Sequence, residues 1–348
     1  MTGSGKRAYA FAKACGIIGK SFVGKGISRL GAVTRLTELD RLVFPLANRD
    51  LPERELLVDL EQRIAGRAVK QMSALVLSFR NPPELLLRLV RVYEYGNIKS
   101  ALSAIAGGGT KAPEFTDLGV LGTVNFKAYP DLAAMVKDTE FAFLLDEDIP
   151  AGTDNILLQT KLDRQYYTLL WNSLSLLPGK DQAAIKKILA EEISLRNASW
   201  ALRLRTYYGI APEEIKKILV PIRIGKKLGL SHGSDDKDKT LADDAVVSLA
   251  MALDSRPDWE SWSRVGFLNP EKPGESWYAD PRYFQNAASQ HLYHLARQLF
   301  RRNPFSLDTV SCFIKLKQFE EDLLTSVAEG LSLGLSAKDV FAMLEVEP

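Results

Sequence analysis

The chain is poor in the side chains that most often carry metal and nucleophilic chemistry, with two cysteines and three histidines in 348 residues. Cys15 and Cys312 form no CxxC pair and no disulfide framework, which suits a reducing compartment. Each reads as a small, buried apolar residue. A charge excess is also missing, since 45 basic residues face 43 acidic ones for a net +2. A nucleic-acid binder ordinarily carries a basic excess or stripe, so no nucleic-acid partner is expected. No run approaches the about 18–20 consecutive apolar residues of a membrane span. Lys6-Arg7 followed by Ala8 to Gly19 imitates a signal peptide, but Lys13 interrupts the apolar stretch and Lys20 closes it. The stretch therefore reads as a helix of a soluble, cytoplasmic protein that meets a membrane only through partners. Asn-Gly and Asp-Gly turns between β-branched runs are absent, which removes the strongest hairpin signal.

What is present is helical periodicity. After Pro83, residues Leu85, Leu86, Leu89, Val92 and Tyr93 recur at steps of three and four, as one buried helix face requires. Gln182 to Tyr208 and Val310 to Leu331 behave in the same way. Thr37 before Asp40, Thr240 before Asp243 and Ser336 before Asp339 fit N-caps with an acid in the first turn. Pro212 followed by Glu213 and Glu214 fits a first-turn proline with acids facing the helix dipole. Gly107 to Gly109, Ser231 to Lys239 and the Pro- and Trp-rich span from Arg256 to Pro281 read as loops. The fold class expected is all-α.

The chain also resembles itself. A shift of 100 residues places Leu85 on Ile185, Leu89 on Leu189, Asn97 on Asn197 and Leu102 on Leu202. A shift of 125 places Ile185 on Val310, Ile188 on Phe313, Gly209 on Gly334 and Leu219 on Leu344. Apolar matches between amphipathic helices come easily, so the stronger signal is a glycine followed by a helix start, at Gly209 with Pro212 and at Gly334 with Ser336. Three like helical units are expected, over residues 1–125, 126–225 and 226–348, each burying its own core.

Candidate chemistry is thin. Gly16 to Ser21 imitates a phosphate loop, but Ala14 stands where the leading glycine belongs, and the segment follows a helix. His291 and His294 are spaced to share a metal, with Asp280 nearby in sequence. No glutamate lies between them as in the zinc-protease pattern, and they read as ordinary surface histidines. The acidic clusters Asp146 to Asp148, Asp235-Asp236, Asp243-Asp244 and Glu320 to Asp322 read as loop or helix-start residues explained by dipole and solvation. Arg196 to Arg205 is a basic run with a tryptophan, but its arginines alternate with apolar residues below Glu191 and Glu192. It reads as an interior helix whose arginines tie helices together or face a partner.

These residues carry a family likeness. Glu191 to Leu219, with Asn197, Arg203 and Arg205, resembles the acidic-then-Asn-then-Leu-Arg repeat of the V/A-type ATPase C-subunit family, whose eukaryotic members are the V-ATPase d subunits. Gly96 to Leu102, with Asn97 and Lys99, resembles the first copy of that element. Phe313 to Glu320, with Lys315, Lys317 and Glu320, resembles the family's C-terminal Lys-Leu-Lys-x-x-Glu helix, and Ala8 to Lys13 with Leu39 to Leu42 fits its opening. Ser103 departs from the arginine expected there, and Asp322, Leu323 and Thr325 depart from the third copy's Asn and Arg. The resemblance implies three similar helical bundles in a pseudo-threefold, funnel-like arrangement. It also implies a non-catalytic connector between the central stalk and the proteolipid (c-type) ring, serving proton or sodium transport at the cytoplasmic face of the membrane, with no nucleotide and no cofactor. A helical-repeat adaptor unrelated to ATPases is the alternative reading, and a metal-dependent helical enzyme built on His291 and His294 is the third.

Overall fold

The structure is a computed structural model, describing residues 3–47, 49–147, 149, 153–224, 239–302 and 304–346. The expected loop residues Ser231 to Asp238, His232 among them, and the acids Asp148, Asp235 and Asp236 lie outside the described residues. In chain order the helices are α1 (Gly3–Ile18), α2 (Leu36–Val43), α3 (Glu53–Val76), α4 (Glu84–Ala106), α5 (Leu132–Val136), α6 (Thr153–Asn172), α7 (Ala183–Tyr208), α8 (Pro212–Ile218), α9 (Asp243–Ser248), α10 (Pro281–Arg302), α11 (Leu307–Ser332) and α12 (Ala337–Leu344). Among the described residues there is no strand, only an isolated antiparallel bridge between Arg223 and Thr240. The fold is all-α.

The chain forms two compact units, one of residues Met1–Ile149 with Ala296–Pro348, the other of Pro150–Leu295. The first unit is organised around α11, which packs most extensively on α3 and also touches α1, α2, α4 and α12. Apolar positions on α3 (Leu56, Leu60, Ile64, Ala68, Met72 and Leu75) recur at three- and four-residue steps and are all buried. On α11 nearly every position from Leu307 to Phe319 is buried, as a helix walled in on several sides requires. Each leucine or phenylalanine so buried contributes about 1.5–3 kcal/mol. These units are drawn by contact, whereas the three units expected from the sequence are drawn by repetition.

The second unit is built on α7, with α6, α8 and α9 packed against it. The Trp-rich span after α9 is a loop with short 3-10 turns, yet it is packed: Trp259 and Trp262 are buried and Trp262 stacks on Phe284 of α10 at 5.6 Å. Their indole nitrogens donate to Ala252 O (2.7 Å) and Asp244 O (2.8 Å), so no buried donor is wasted.

Helix ends follow local chemistry. Ser336 and Asp339 form a reciprocal capping box on α12. Gly209 and Gly334 follow α7 and α11 with φ of +59° and +81°, a conformation that costs glycine nothing, and each is followed by a short helix. The expected cap at Thr37 is corrected. α2 already starts at Leu36, because Glu38 reaches back to the backbone nitrogens of Thr34 (2.9 Å) and Arg35 (3.3 Å). Asp40 is instead buried, accepting from Arg63 (2.6 Å) and from Arg49 N (2.7 Å). The reading of Glu320 to Asp322 as loop or helix-start acids is also corrected, since they lie in the middle of α11.

Candidate functional site

Family-motif residues on α4 and α7 turn out to do one job twice. Asn97, buried on α4, donates from Nδ2 to Thr116 O (2.8 Å) and accepts from Thr116 N at Oδ1 (2.9 Å). Asn197, fully buried on α7, donates to Val220 O (3.1 Å) and accepts from Val220 N (2.9 Å), with a further bond to Leu241 O (2.9 Å). A carboxamide is the one side chain that presents a donor and an acceptor side by side, so it can bracket a single residue of extended backbone. Glu94, one turn before Asn97, holds the same loop further on through Val124 N (2.8 Å) and the Thr123 hydroxyl (3.0 Å).

On α11 the corresponding stretch carries an ionic pin. Glu320 is buried, accepts from Phe22 N (2.8 Å), and is paired with Lys317 one turn back and with Arg67 of α3 (3.4 Å). Lys317 is also buried, and its ammonium lies 3.4 Å from the Ser21 hydroxyl. Burial pulls the Lys317 pKa down against the pull of Glu320. Arg67 further donates to Val43 O (3.2 Å), and Arg63 and Arg67 lie over the ring of Phe44 at 4.5 and 5.4 Å. Sequence reasoning found Lys317 and Glu320, took Asp40 for a first-turn acid, and missed Arg67 and Arg63. Only the four-residue spacing of the two arginines hinted at a shared face.

The other motif residues are nearer the surface. Arg205 is half-buried and ties α7 to the end of α9 by bonds to Ser248 O (2.7 Å) and Met251 O (2.9 Å). Arg203 is exposed, and Lys99 and Lys315 are half-buried.

Next to the ionic pin, Glu321 accepts a hydrogen bond from Tyr93 of α4. Burial pushes its carboxyl up to about 7, Asp322 adds to the rise, and Tyr93 and Lys317 oppose it. A carboxyl with a raised folded-state pKa destabilises the fold as pH climbs from its unfolded value toward 7, and does nothing below it. Glu321→Gln is therefore expected to stabilise the chain at pH 8, on the order of 1 kcal/mol, with the gain vanishing at pH 4. Thermal melts at the two pH values check this.

In the second unit Arg264 joins Glu191 (2.6 and 3.2 Å), Asp244 (2.8 Å) and Ser194 (3.1 Å), while His291 lies 3.2 Å from Glu191 and edge-on to Phe267. Burial alone would raise Glu191, but the hydrogen bonds from His291 and Arg264 hold it down at about 2. His291 is thus engaged by Glu191, and Asp280 accepts from Arg282 N (2.8 Å) at the start of α10. Among the described residues no three His, Cys, Asp or Glu side chains are grouped to hold a metal. Gly16 to Ser21 runs out of α1. The amides of Gly19, Lys20 and Ser21 are spent on Cys15 O, Ile17 O and Ile18 O at 2.9–3.1 Å, so they form no phosphate cradle. Cys312 is buried, which pushes its thiol up to about 12, an unreactive state.

What the geometry provides is a set of internal clamps on long helices. Residues 46–341 match the family described as ATP synthase (C/AC39) subunit. The chain belongs to that family. Its members are a non-catalytic subunit of V/A-type ATPase complexes. An uncharacterized protein of Treponema pallidum (strain Nichols) is 25% identical over 326 residues, covering 94% of this chain and 92% of the relative. The family match begins after α2, so the opening segments at Ala8 to Lys13 and Leu39 to Leu42 lie outside it. No helix among the described residues is long and apolar enough to cross a membrane.

Proposed function

We propose that this chain is the connector of a rotary V/A-type ATPase, seated at the cytoplasmic face of the membrane between the central stalk and the proteolipid (c-type) ring. It would pass torque between them for proton or sodium transport and catalyse nothing itself, binding neither nucleotide nor cofactor. The observation that carries this reading is the family match over most of the chain. A torque coupler needs a body that resists shear, and close-packed helices pinned by buried polar clamps supply it. The paired brackets of Asn97 and Asn197, one hundred residues apart, support a repeated unit and hence three bundles around a pseudo-threefold axis in a funnel-like body. Arg203, Lys99 and Lys315 are proposed as contacts with ring or stalk, whereas Asn97, Asn197, Lys317 and Glu320 act from within.

An affinity-tagged copy expressed in its own host tests the proposal. Detergent-solubilised membranes are expected to yield the tagged chain together with proteolipid and stalk subunits, identified by mass spectrometry. Recovery with partners unrelated to any ATPase would overturn it in favour of a helical adaptor.

A further inference from the structure

The near-neutral net charge conceals a strong segregation. Residues 1–37 and 296–307, both in the first compact unit, hold ten of the 45 lysines and arginines and none of the 43 acidic residues. The remainder carries 35 basic against 43 acidic side chains and is therefore acidic. The two acid-free segments lie together. The ring of Phe11 on α1 is 6.3 Å from Phe300 and 5.3 Å from Phe305. The Arg297 guanidinium sits against Gly24, 3.3 Å from where a Cβ would stand, and the charge of Arg301 acts on Cys15.

Two basic residues of α1 are aligned. Lys6 and Lys13 stand seven residues apart, close to two helical turns, so they share a side with Tyr9 and Gly16, and Lys20 follows in the turn just beyond the end of the helix at Ile18. Tyr9, Ala12, Gly16 and Lys20 are exposed, Tyr9 by 49%, and Lys6 and Lys13 are half-buried. Lys13 lies 5.8 Å from the centre of the Tyr9 ring and caps the end of α3 at Ala74 O (2.8 Å). In the turn after α10, Phe305 has φ +68°, which is costly for an aromatic residue. Its ring stays 51% exposed, close in sequence to the exposed Arg301 and Arg302.

We propose that this face docks on an anionic lipid bilayer. A helix side that carries lysine, tyrosine and small residues can lie flat among headgroups, with the ammonium groups of Lys6 and of Lys20 just past the helix end on phosphates and the aromatics at the interface. Exposed Phe305 beside paired arginines supplies an apolar anchor within the same basic field. The charge is complementary to acidic lipid, and the absence of acids in both segments leaves nothing there to repel it. The inference goes beyond the connector reading and holds for the isolated chain.

Vesicle co-sedimentation of the purified full-length chain tests it, with phosphatidylcholine alone or mixed with phosphatidylglycerol, at low and high salt. Binding is expected only to the mixed vesicles and only at low salt. Lys6→Glu with Lys20→Glu, which spares the Lys13 bond, should weaken binding at least about tenfold, and Phe305→Ser should weaken it a fewfold. Lys111→Glu with Lys127→Glu, the same charge change at exposed sites elsewhere in the unit, should leave it unaltered, with circular dichroism verifying the helix content of every variant. Equal binding to neutral vesicles, no binding to anionic ones, an equal loss in the Lys111/Lys127 variant, or tighter binding to single-stranded RNA would each overturn the proposal. Failure of the chain to co-purify with ATPase subunits leaves this result untouched.

Discussion

Glu320→Ala is expected to destabilise the chain by about 3–5 kcal/mol, with a fall in melting temperature of roughly 10 °C for a domain of this size. Glu320 answers three donors at once: the Lys317 ammonium, the Arg67 guanidinium and Phe22 N. Removing it leaves a buried cation beside a second, half-buried one and strands a buried amide, and each of these costs more than the lost attraction itself. The double change Lys317→Met with Glu320→Leu should cost clearly less than Glu320→Ala, because it removes the charge together with its partner. All five tryptophans lie in the second compact unit, so their emission reports that unit, whereas far-UV circular dichroism reports both. The loss should therefore appear in the dichroism transition. An alanine variant as stable as the parent would show that the pin is not holding α11 to α3.

The second large effect is expected at Asn197. Asn197→Ala strands Val220 N, Val220 O and Leu241 O in a fully buried place, and about 1–3 kcal/mol attaches to each buried group left without a partner. A loss of about 3 kcal/mol or more should be seen in the tryptophan transition. Asn197→Asp keeps the acceptor for Val220 N but sets a carboxylate against two carbonyl oxygens, so it should be no better than alanine at neutral pH. Asn97→Ala loses a bracket with two bonds and should cost less. The order Asn197 above Asn97 in urea unfolding checks the account, and equal or reversed costs would contradict it.

How much of this was visible beforehand depended on the range of each interaction. The extents of α4, α7 and α11 could be read because apolar residues repeat at the helical period, and Gly209 and Gly334 stood out because few residues adopt a left-handed backbone. Asn97 and Asn197 coincide under the shift of 100, and the structure supplies the reason, which is the shared bracket. Burial of Lys317 and Glu320 was hidden, since both residue types are nearly always exposed unless paired, and the pairing arm, Arg67, lies 253 residues from Glu320. Asp40 was misread as a first-turn acid because its partner Arg63 sits on another helix. The basic face of α1 was masked in the opposite way, because a net charge of +2 averages an acid-free region with an acidic remainder.

The role proposed for this chain is that of a stiff non-catalytic body between two rotating parts. Electron cryomicroscopy of the rotary ATPase isolated from the host membrane tests it most directly. The expected result is density for this chain on the cytoplasmic end of the proteolipid ring, as three helical bundles about a pseudo-threefold axis with the central stalk seated among them. An intact and active rotary complex that lacks the chain altogether would contradict the account.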